Sequence, residues 1–221
     1  NDAPVIVAQT VDATSASITE QVGTTGQPIS GATDSVSGKI SFTDVDLTDQ
    51  HTVAVVGALS PTTHAVIGTS PIAQSIVWQS GGVNPNVINL SSAQLAALHS
   101  VLDSALSVSI GTDSTGTGAG SLNWTFSTAD SNFSFLSAGE TLTVIYNVQV
   151  ADKQTGVSNL QAVTVKITGT NVSPIISASS NDKITASFIE QVGTTGQPIS
   201  GATDSVSGKI SFSDLNLSDT H

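Results

Sequence analysis

One stretch of this chain occurs twice. Glu20 to Phe42 reads EQVGTTGQPISGATDSVSGKISF, and Glu190 to Phe212 repeats it letter for letter, 170 residues later. The register extends outward on both sides. Asn1 and Pro4 match Asn171 and Pro174, while Asp44, Leu47, Asp49 and His51 match Asp214, Leu217, Asp219 and His221. A period this long describes a tandem array of whole domains, not a solenoid of short units. Residues 1–170 therefore read as one complete repeat and 171–221 as the opening of the next, a piece of a longer array. A repeat of this length can bury its own core, whereas a 51-residue tail is marginal alone. Two boundary schemes follow. Either the tail is the N-terminal part of a following domain, or the domains are split in sequence and the tail completes the preceding one.

The residue supply is Val, Ile, Thr and Ser punctuated by Gly, Asn, Asp and Pro, which suits β-structure. Asn1 to Pro4 reads as a linker, because a proline holds the residue before it extended. A first strand is expected over Val5–Val11, and a long loop with at most an edge hairpin over Gln21–Gly38. Further strands are expected at Lys39–Phe42, His51–Ala58, Ile72–Trp78, Ser121–Ser127 and Thr141–Val150, with a last one through Val163, Val165 and Ile167. In the Thr141–Val150 strand Leu142, Val144, Tyr146, Val148 and Val150 share one face, leaving Thr143, Asn147 and Gln149 to water. It should pair with the last strand as an antiparallel hairpin. One segment breaks the pattern. Ser91-x-x-Gln94 is a capping box, and Leu95, Leu98, Leu102 and Ala105 recur at helical spacing, so 92–106 reads as one amphipathic helix laid on the sandwich.

Charge excludes several partners. Seventeen carboxylates against five cations, all lysine, give a formal charge of −12. Nucleic acid needs a basic face, so it is not the expected partner, and anionic membrane surfaces are disfavoured. No apolar stretch is long enough to span a bilayer. Without cysteine there is no disulfide framework and no thiolate site. The excess of Asp over Glu is informative, because short carboxylates in turns are what oxygen-ligand sites for hard cations use.

The run Asp44-x-Asp46-x-x-Asp49 is the strongest site candidate. On an extended strand Asp44 and Asp46 point the same way and repel unless a cation or water separates them. Asp49 joins them only if the chain turns after Leu47. The second copy reads Asp214-x-Asn216-x-x-Asp219, with one charge fewer, so a site there should bind more weakly. A solvated acidic turn is the plain alternative. Catalysis finds no support: His51, His64, His99 and His221 are scattered, with no zinc-type pair, and His51 and His221 are the same position in successive copies. His51 is expected to be a hydrogen-bonded surface residue. Gly116-x-Gly118-x-Gly120 lacks the strand–turn–helix setting of a phosphate loop. Thr141, Thr143, Thr164 and Thr168 could line an exposed face, but threonine on strands is what β-propensity selects.

Several longer phrases carry a resemblance. They are Ser41-Phe42-Thr43-Asp44-Val45-Asp46-Leu47, Asn123-Trp124-Thr125-Phe126, Phe135-Leu136-Ser137-Ala138-Gly139-Glu140-Thr141-Leu142 leading to Tyr146–Asp152, and Thr164–Asn171 continued by Asn1–Pro4. Together they resemble the VCBS-type, cadherin-like repeats of bacterial RTX adhesins. The resemblance implies an immunoglobulin-like β-sandwich in tandem array, exported to the surface of a Gram-negative bacterium; the inserted helix belongs to surplus length between Val83 and Gly120 by which this repeat departs from the family. It also implies Ca2+ between consecutive domains, held by Glu20, Asp152, Asn171 and Asp214, with Glu190 the second copy of Glu20. The implied role is that of a monomeric spacer whose partners are neighbouring repeats and which projects a ligand-binding tip. A carbohydrate-binding module using the 79–120 insertion is the alternative, and exposure of Trp78 or Trp124 would favour it.

Overall fold

The computed structural model describes residues 1–56, 77–79 and 91–221. Most of the expected Ile72–Trp78 strand, His64 and the first part of the 79–120 insertion lie outside the described residues. The chain divides into two compact units, one of Asn1–Val172 with Asn216–His221 and one of Ser173–Leu215.

The larger unit is an all-β sandwich carrying one helix. Its first sheet has the order β1-β3-β7-β6, from β1 (Val5–Ile6), β3 (Thr33–Thr43), β7 (Ala119–Ala129) and β6 (Leu106–Thr112). The second runs β2-β9-β8-β4, from β2 (Ser15–Thr19), β9 (Gln161–Thr168), β8 (Thr141–Asp152) and β4 (His51–Val56), and β5 (Val77–Gln79) joins it against β8. Every pairing is antiparallel except β2 with β9. Four strands on one side and the β9-β8-β4 triple on the other is the strand order of immunoglobulin-like sandwiches.

The parallel pair arises because the expected Val5–Val11 strand is broken. After Ile6 the chain leaves the first sheet, turns at Gln9–Asp12 and re-emerges as β2 in the second. Asp12 fixes that turn: one carboxylate oxygen accepts the amides of Gln9 and Ser41 at 2.8 and 2.9 Å, and the other accepts the Ser41 hydroxyl at 3.0 Å. Asp182 repeats these bonds with Ser179 and Ser211 in the smaller unit.

The second departure is β3, which begins at Thr33, well inside the expected loop. Asp34, Val36, Gly38, Ile40 and Phe42 alternate inward, but two of them carry no apolar side chain, so the period is hidden in the sequence. Gly38 lies under the Trp124 ring, where a Cβ would meet the indole nitrogen at 2.5 Å. Trp124 is 1 % exposed and donates its Nε1 proton to Ala13 O at 2.6 Å.

Between the sheets lie Ile40, Phe42, Leu122, Trp124 and Phe126 facing Leu142, Val144, Tyr146, Val148, Val150, Val163, Val165 and Ile167, all buried. Helix α1 (Ser92–Ala105) starts on a capping box in which Ser91 accepts the Gln94 amide. It buries Leu98, Leu102 and Ala105 in the same core. Tyr146 locks it there by donating its hydroxyl to Leu102 O at 2.8 Å, and burial, with the Asp103 charge adding to it, raises the pKa of that phenol. Asn147 does not face water as its parity suggested. It is 3 % exposed, because β8 is flanked along its length by β9 and by β4 and β5. For the same reason Thr141 is buried and Thr143, Thr164 and Thr168 are half-buried, so no open threonine array exists.

The smaller unit repeats the opening of the larger. Its β10 (Ile175–Ile176) pairs with β11 (Phe212–Ser213) in the register of β1 with β3. Ile176, Phe188, Ile210 and Phe212, whose counterparts Ile6, Ile18, Ile40 and Phe42 are core residues, are exposed.

Candidate metal centre

The site forms where three segments of the larger unit meet, at the end of the sandwich where the chain begins. β3 ends at Thr43, so Asp44 and Asp46 leave the strand and do not share a face. The chain turns at Leu47–Thr48, with Asp49 N donating to Asp46 O at 3.1 Å, and this carries Asp49 back beside Asp44. Asp152 arrives at the end of β8, directly opposite His51 of β4. Carboxylate oxygens of Asp44, Asp49 and Asp152 lie within 4.8 Å of one another, and all three residues are buried.

Each carboxylate is held by a short list of donors. Asp152 Oδ1 accepts the Gln154 and Gly156 amides at 2.7 and 2.8 Å, and its Oδ2 accepts the Asn1 side-chain amide at 3.1 Å. A Cβ on residue 156 would fall 2.1 Å from Asp152 Oδ2, so the glycine makes that approach possible. Burial alone would raise the Asp152 carboxyl, but the bonds from Asn1, Gly156 and Gln154 outweigh it and hold it below its usual value. Asp44 Oδ1 accepts the Asp46 amide at 2.8 Å. Asp49 Oδ1 accepts the Gln154 side-chain amide at 2.6 Å, and its Oδ2 is buried with no hydrogen-bond partner. Burial and the Asp46, Asp152 and Asp44 charges raise the Asp49 carboxyl.

His51 is not a surface residue. It is 7 % exposed, its ring lies 5.1 Å from that of Phe42, and it spans two carboxylates. Nε2 is 3.0 Å from Asp44 Oδ2 and Nδ1 is 2.6 Å from Asp113 Oδ1. Burial disfavours the imidazolium, but hydrogen bonds to Asp44 and Asp113 and their charges prevail and raise its pKa. The pairing in turn lowers Asp113, against the opposing effect of burial. Sequence reasoning missed Asp113, Gln154 and Asn1 as members of this site. The recurrence of His51 as His221 was the available signal for the histidine.

The other expected ligands lie elsewhere. Asp46 is half-buried and turns its carboxylate to the Asp2 amide at 2.6 Å. Glu20 follows β2 and donates its amide to Thr168 O, at the end of β9 that pairs with Thr141. Asp152 ends β8 at the other extreme, so eleven residue steps, roughly 36 Å at about 3.3 Å each, separate the two. One ion cannot take both. Asn171 is exposed in the larger unit, and Glu190 and Asp214 belong to the smaller. Asn216 groups with the larger unit, where it repeats the Asp46–Asp2 contact by accepting the Val172 amide at 2.6 Å. Its Nδ2 also donates to Leu136 O and Ser134 O at 2.8 and 3.1 Å.

No family model matches the sequence, and no curated protein does. Solved structures do match, weakly. One is AggA, the major subunit of aggregative adherence fimbriae type I from Escherichia coli, at 16% identity and a TM-score of 0.31, covering 76% of this chain and 96% of that one. Another is the CooA pilin subunit of enterotoxigenic Escherichia coli, at 9% identity and a TM-score of 0.34, covering 77% and 99%. Superposition this loose bears on neither ligand nor role. Among the described residues no helix is long and apolar enough to cross a membrane.

Proposed function

We propose that this chain is a spacer module of a large bacterial surface adhesin, built of tandem β-sandwich repeats of the VCBS-type, cadherin-like kind and stiffened by Ca2+. The observation that carries the reading is the Asp44–Asp49–Asp152 cluster, placed where the linker meets the sandwich. The donor set fits a hard cation. It offers three buried carboxylates from two segments, an orphaned Asp49 Oδ2, and the Asn1 and Gln154 amides, whose oxygens replace their NH2 groups after half a turn. Calcium takes six to eight oxygens, and no single segment here supplies them.

The mechanical consequence follows from which residues are involved. Asn1 bonds Asp152, and the Asp2 amide bonds Asp46. An ion on the carboxylates thus ties the linker to the folded end and stiffens a joint that otherwise flexes. Recurrence of the linker contact at Val172 and Asn216 supports the same construction at each junction of an array, with 171–221 opening the next repeat. The carbohydrate-binding alternative gains nothing from Trp124, which is buried and hydrogen-bonded, and the Trp78 side chain lies outside the described residues.

Thermal unfolding of the full chain in EDTA, Ca2+ and Mg2+ tests the reading, with Asp152→Asn alongside. Ca2+ should raise the wild-type melting temperature well beyond Mg2+, and the variant should lose much of that rise. Equal melting temperatures in EDTA and Ca2+ would remove calcium from the account.

A further inference from the structure

The acidic turn occurs twice, and its second copy lies against a loop of the first repeat. Residues 216–221 group with the larger unit, apart from the 173–215 stretch that precedes them. They meet the loop that leads from the 3-10 turn ending at Phe133 to the start of β8. Asn216 is 4 % exposed and sends its Nδ2 protons to Leu136 O and Ser134 O at 2.8 and 3.1 Å. The Leu217 amide donates to Phe135 O at 3.1 Å. The Ser218 hydroxyl donates to Glu140 Oε1 at 2.7 Å and lies 2.6 Å from Ser137 Oγ. Glu140 is itself buried, and its Oε2 accepts the Ser137 amide at 2.9 Å. Three successive residues of the turn thus read one face of the loop.

The linker runs between the two. The Gly169 amide donates to Glu140 O at 2.8 Å, and Gly169 O accepts the Gly139 amide at 3.1 Å. A Cβ on residue 169 would fall 2.5 Å from Leu136 Cβ, so the glycine lets the linker lie against the loop. Further on, Val172 is buried and gives its amide to Asn216 Oδ1 at 2.6 Å. Loop, linker and turn close as one layered clasp, and every bond in it runs between protein groups.

The first copy of the turn is not suited to such a loop. Asp46 stands where Asn216 does, and it keeps the bond to the linker amide, here that of Asp2. What it lacks is the NH2 group. An ionised carboxylate only accepts, whereas a carboxamide has two protons to donate. Setting Asp46 against two carbonyls would bury a charge among acceptors. The linker position agrees with this. Asp2 is exposed where Val172 is buried, and an aspartate at 172 would be a second buried charge. The two residues joined by the linker bond are therefore both acidic in one copy and both neutral in the other.

We propose that Asn216, with Val172, commits this joint to closure without metal, and that the partner recognised by the 216–218 turn is the Ser134–Glu140 loop of the preceding repeat. The residue at this position then sets the type of joint along an array, because Asp46 with Asp2 marks a turn that does not take a loop directly. The inference rests on the tandem-repeat reading only in treating 171–221 as the opening of a following repeat. It does not depend on a cation at Asp44, Asp49 and Asp152.

Hydrogen–deuterium exchange at the Leu217 amide, in the full chain at neutral pH, tests it. In the wild type this amide should be protected in EDTA, and Ca2+ should leave its rate unchanged. Asn216→Asp keeps the side-chain shape and the acceptor for Val172 but removes both donors. It should speed Leu217 exchange by about tenfold or more, since two buried carbonyls lose their partner, while β7 and β8 stay protected. Free exchange of Leu217 in wild-type EDTA samples, or equal protection in folded Asn216→Asp, would overturn the clasp. Should the variant fail to fold, the wild type still decides. Protection that appears only with Ca2+ would overturn the clasp and leave the calcium-stiffened spacer standing. A melting temperature indifferent to Ca2+, with Leu217 protected in EDTA, would remove calcium and support the clasp.

Discussion

Replacing Glu20 with glutamine should stabilise the metal-free protein, and by an amount that depends on pH in a defined direction. The folded state raises this carboxyl from 4.5 to about 7. Below pH 4.5 it is protonated folded or unfolded, so it contributes nothing. Between 4.5 and 7 the unfolded chain ionises first, and stability falls; above 7 the loss is complete. The shift of 2.5 units corresponds to roughly 3.4 kcal/mol at about 1.36 kcal/mol per unit, reduced to roughly 2 kcal/mol by allowing for solvent screening near the end of the sandwich. Glutamine keeps an oxygen for the Thr170 amide and adds a donor facing the orphaned oxygens of Asp34 and Asp130. In EDTA at pH 8, Glu20→Gln should therefore melt higher by roughly 4–8 °C, at about 2–4 °C per kcal/mol for a protein of this size. At pH 4 the two proteins should melt together. Circular dichroism against temperature at both pH values, in EDTA, is sufficient. A variant that melts lower at pH 8, or a difference of the same size at pH 4, would refute the reasoning.

Other consequences are independent of metal. Gly38→Ala places a methyl 2.5 Å from the Trp124 indole nitrogen and should cost about 1–3 kcal/mol by overpacking, visible in urea unfolding. Leu102→Ala empties a fully buried position under α1 and should cost about 2–5 kcal/mol, measured the same way. Asn216→Ala removes the groups that cap Leu136 O and Ser134 O and accept the Val172 amide. It should make residues 216–221 cut faster by protease while the sandwich core resists.

Much of the fold is legible because the core strands carry large apolar residues at period two. Leu122, Trp124 and Phe126 announce β7, and the Leu142–Val150 series announces β8. The capping box fixed the start of α1, with Ser91 outside the helix and Gln94 answering it. What the sequence hid was inward positions filled by non-apolar residues. Asp34 and Gly38 disguise the first half of β3, because one enters a polar cluster and the other makes room for an indole ring.

The sites divide along the same line. Local spacing pointed to Asp44 and Asp49, and the turn after Leu47 supplied the geometry. Asp152 stands beside them only because β8 pairs with β4 in a register that no short motif encodes. Glu20 and Asp152 were grouped by resemblance alone, and a twelve-residue strand stands between them. Asp34 and Asp130 are ordinary turn residues in the sequence. Only the pairing of β3 with β7, and the return of the chain after β2, makes them a cluster.

The central claim is that a cation at Asp44, Asp49 and Asp152 fastens the linker to the end of the sandwich. Hydrogen–deuterium exchange of the full chain, in EDTA and then in Ca2+, reads that joint directly through the amides of Asp2, Asp46, Gln154 and Gly156, each of which donates to a carboxylate of the site or its neighbour Asp46. The account predicts that Ca2+ slows exchange at all four together, and that Asp44→Asn abolishes the slowing. Exchange at these amides that is the same with and without Ca2+ would contradict it.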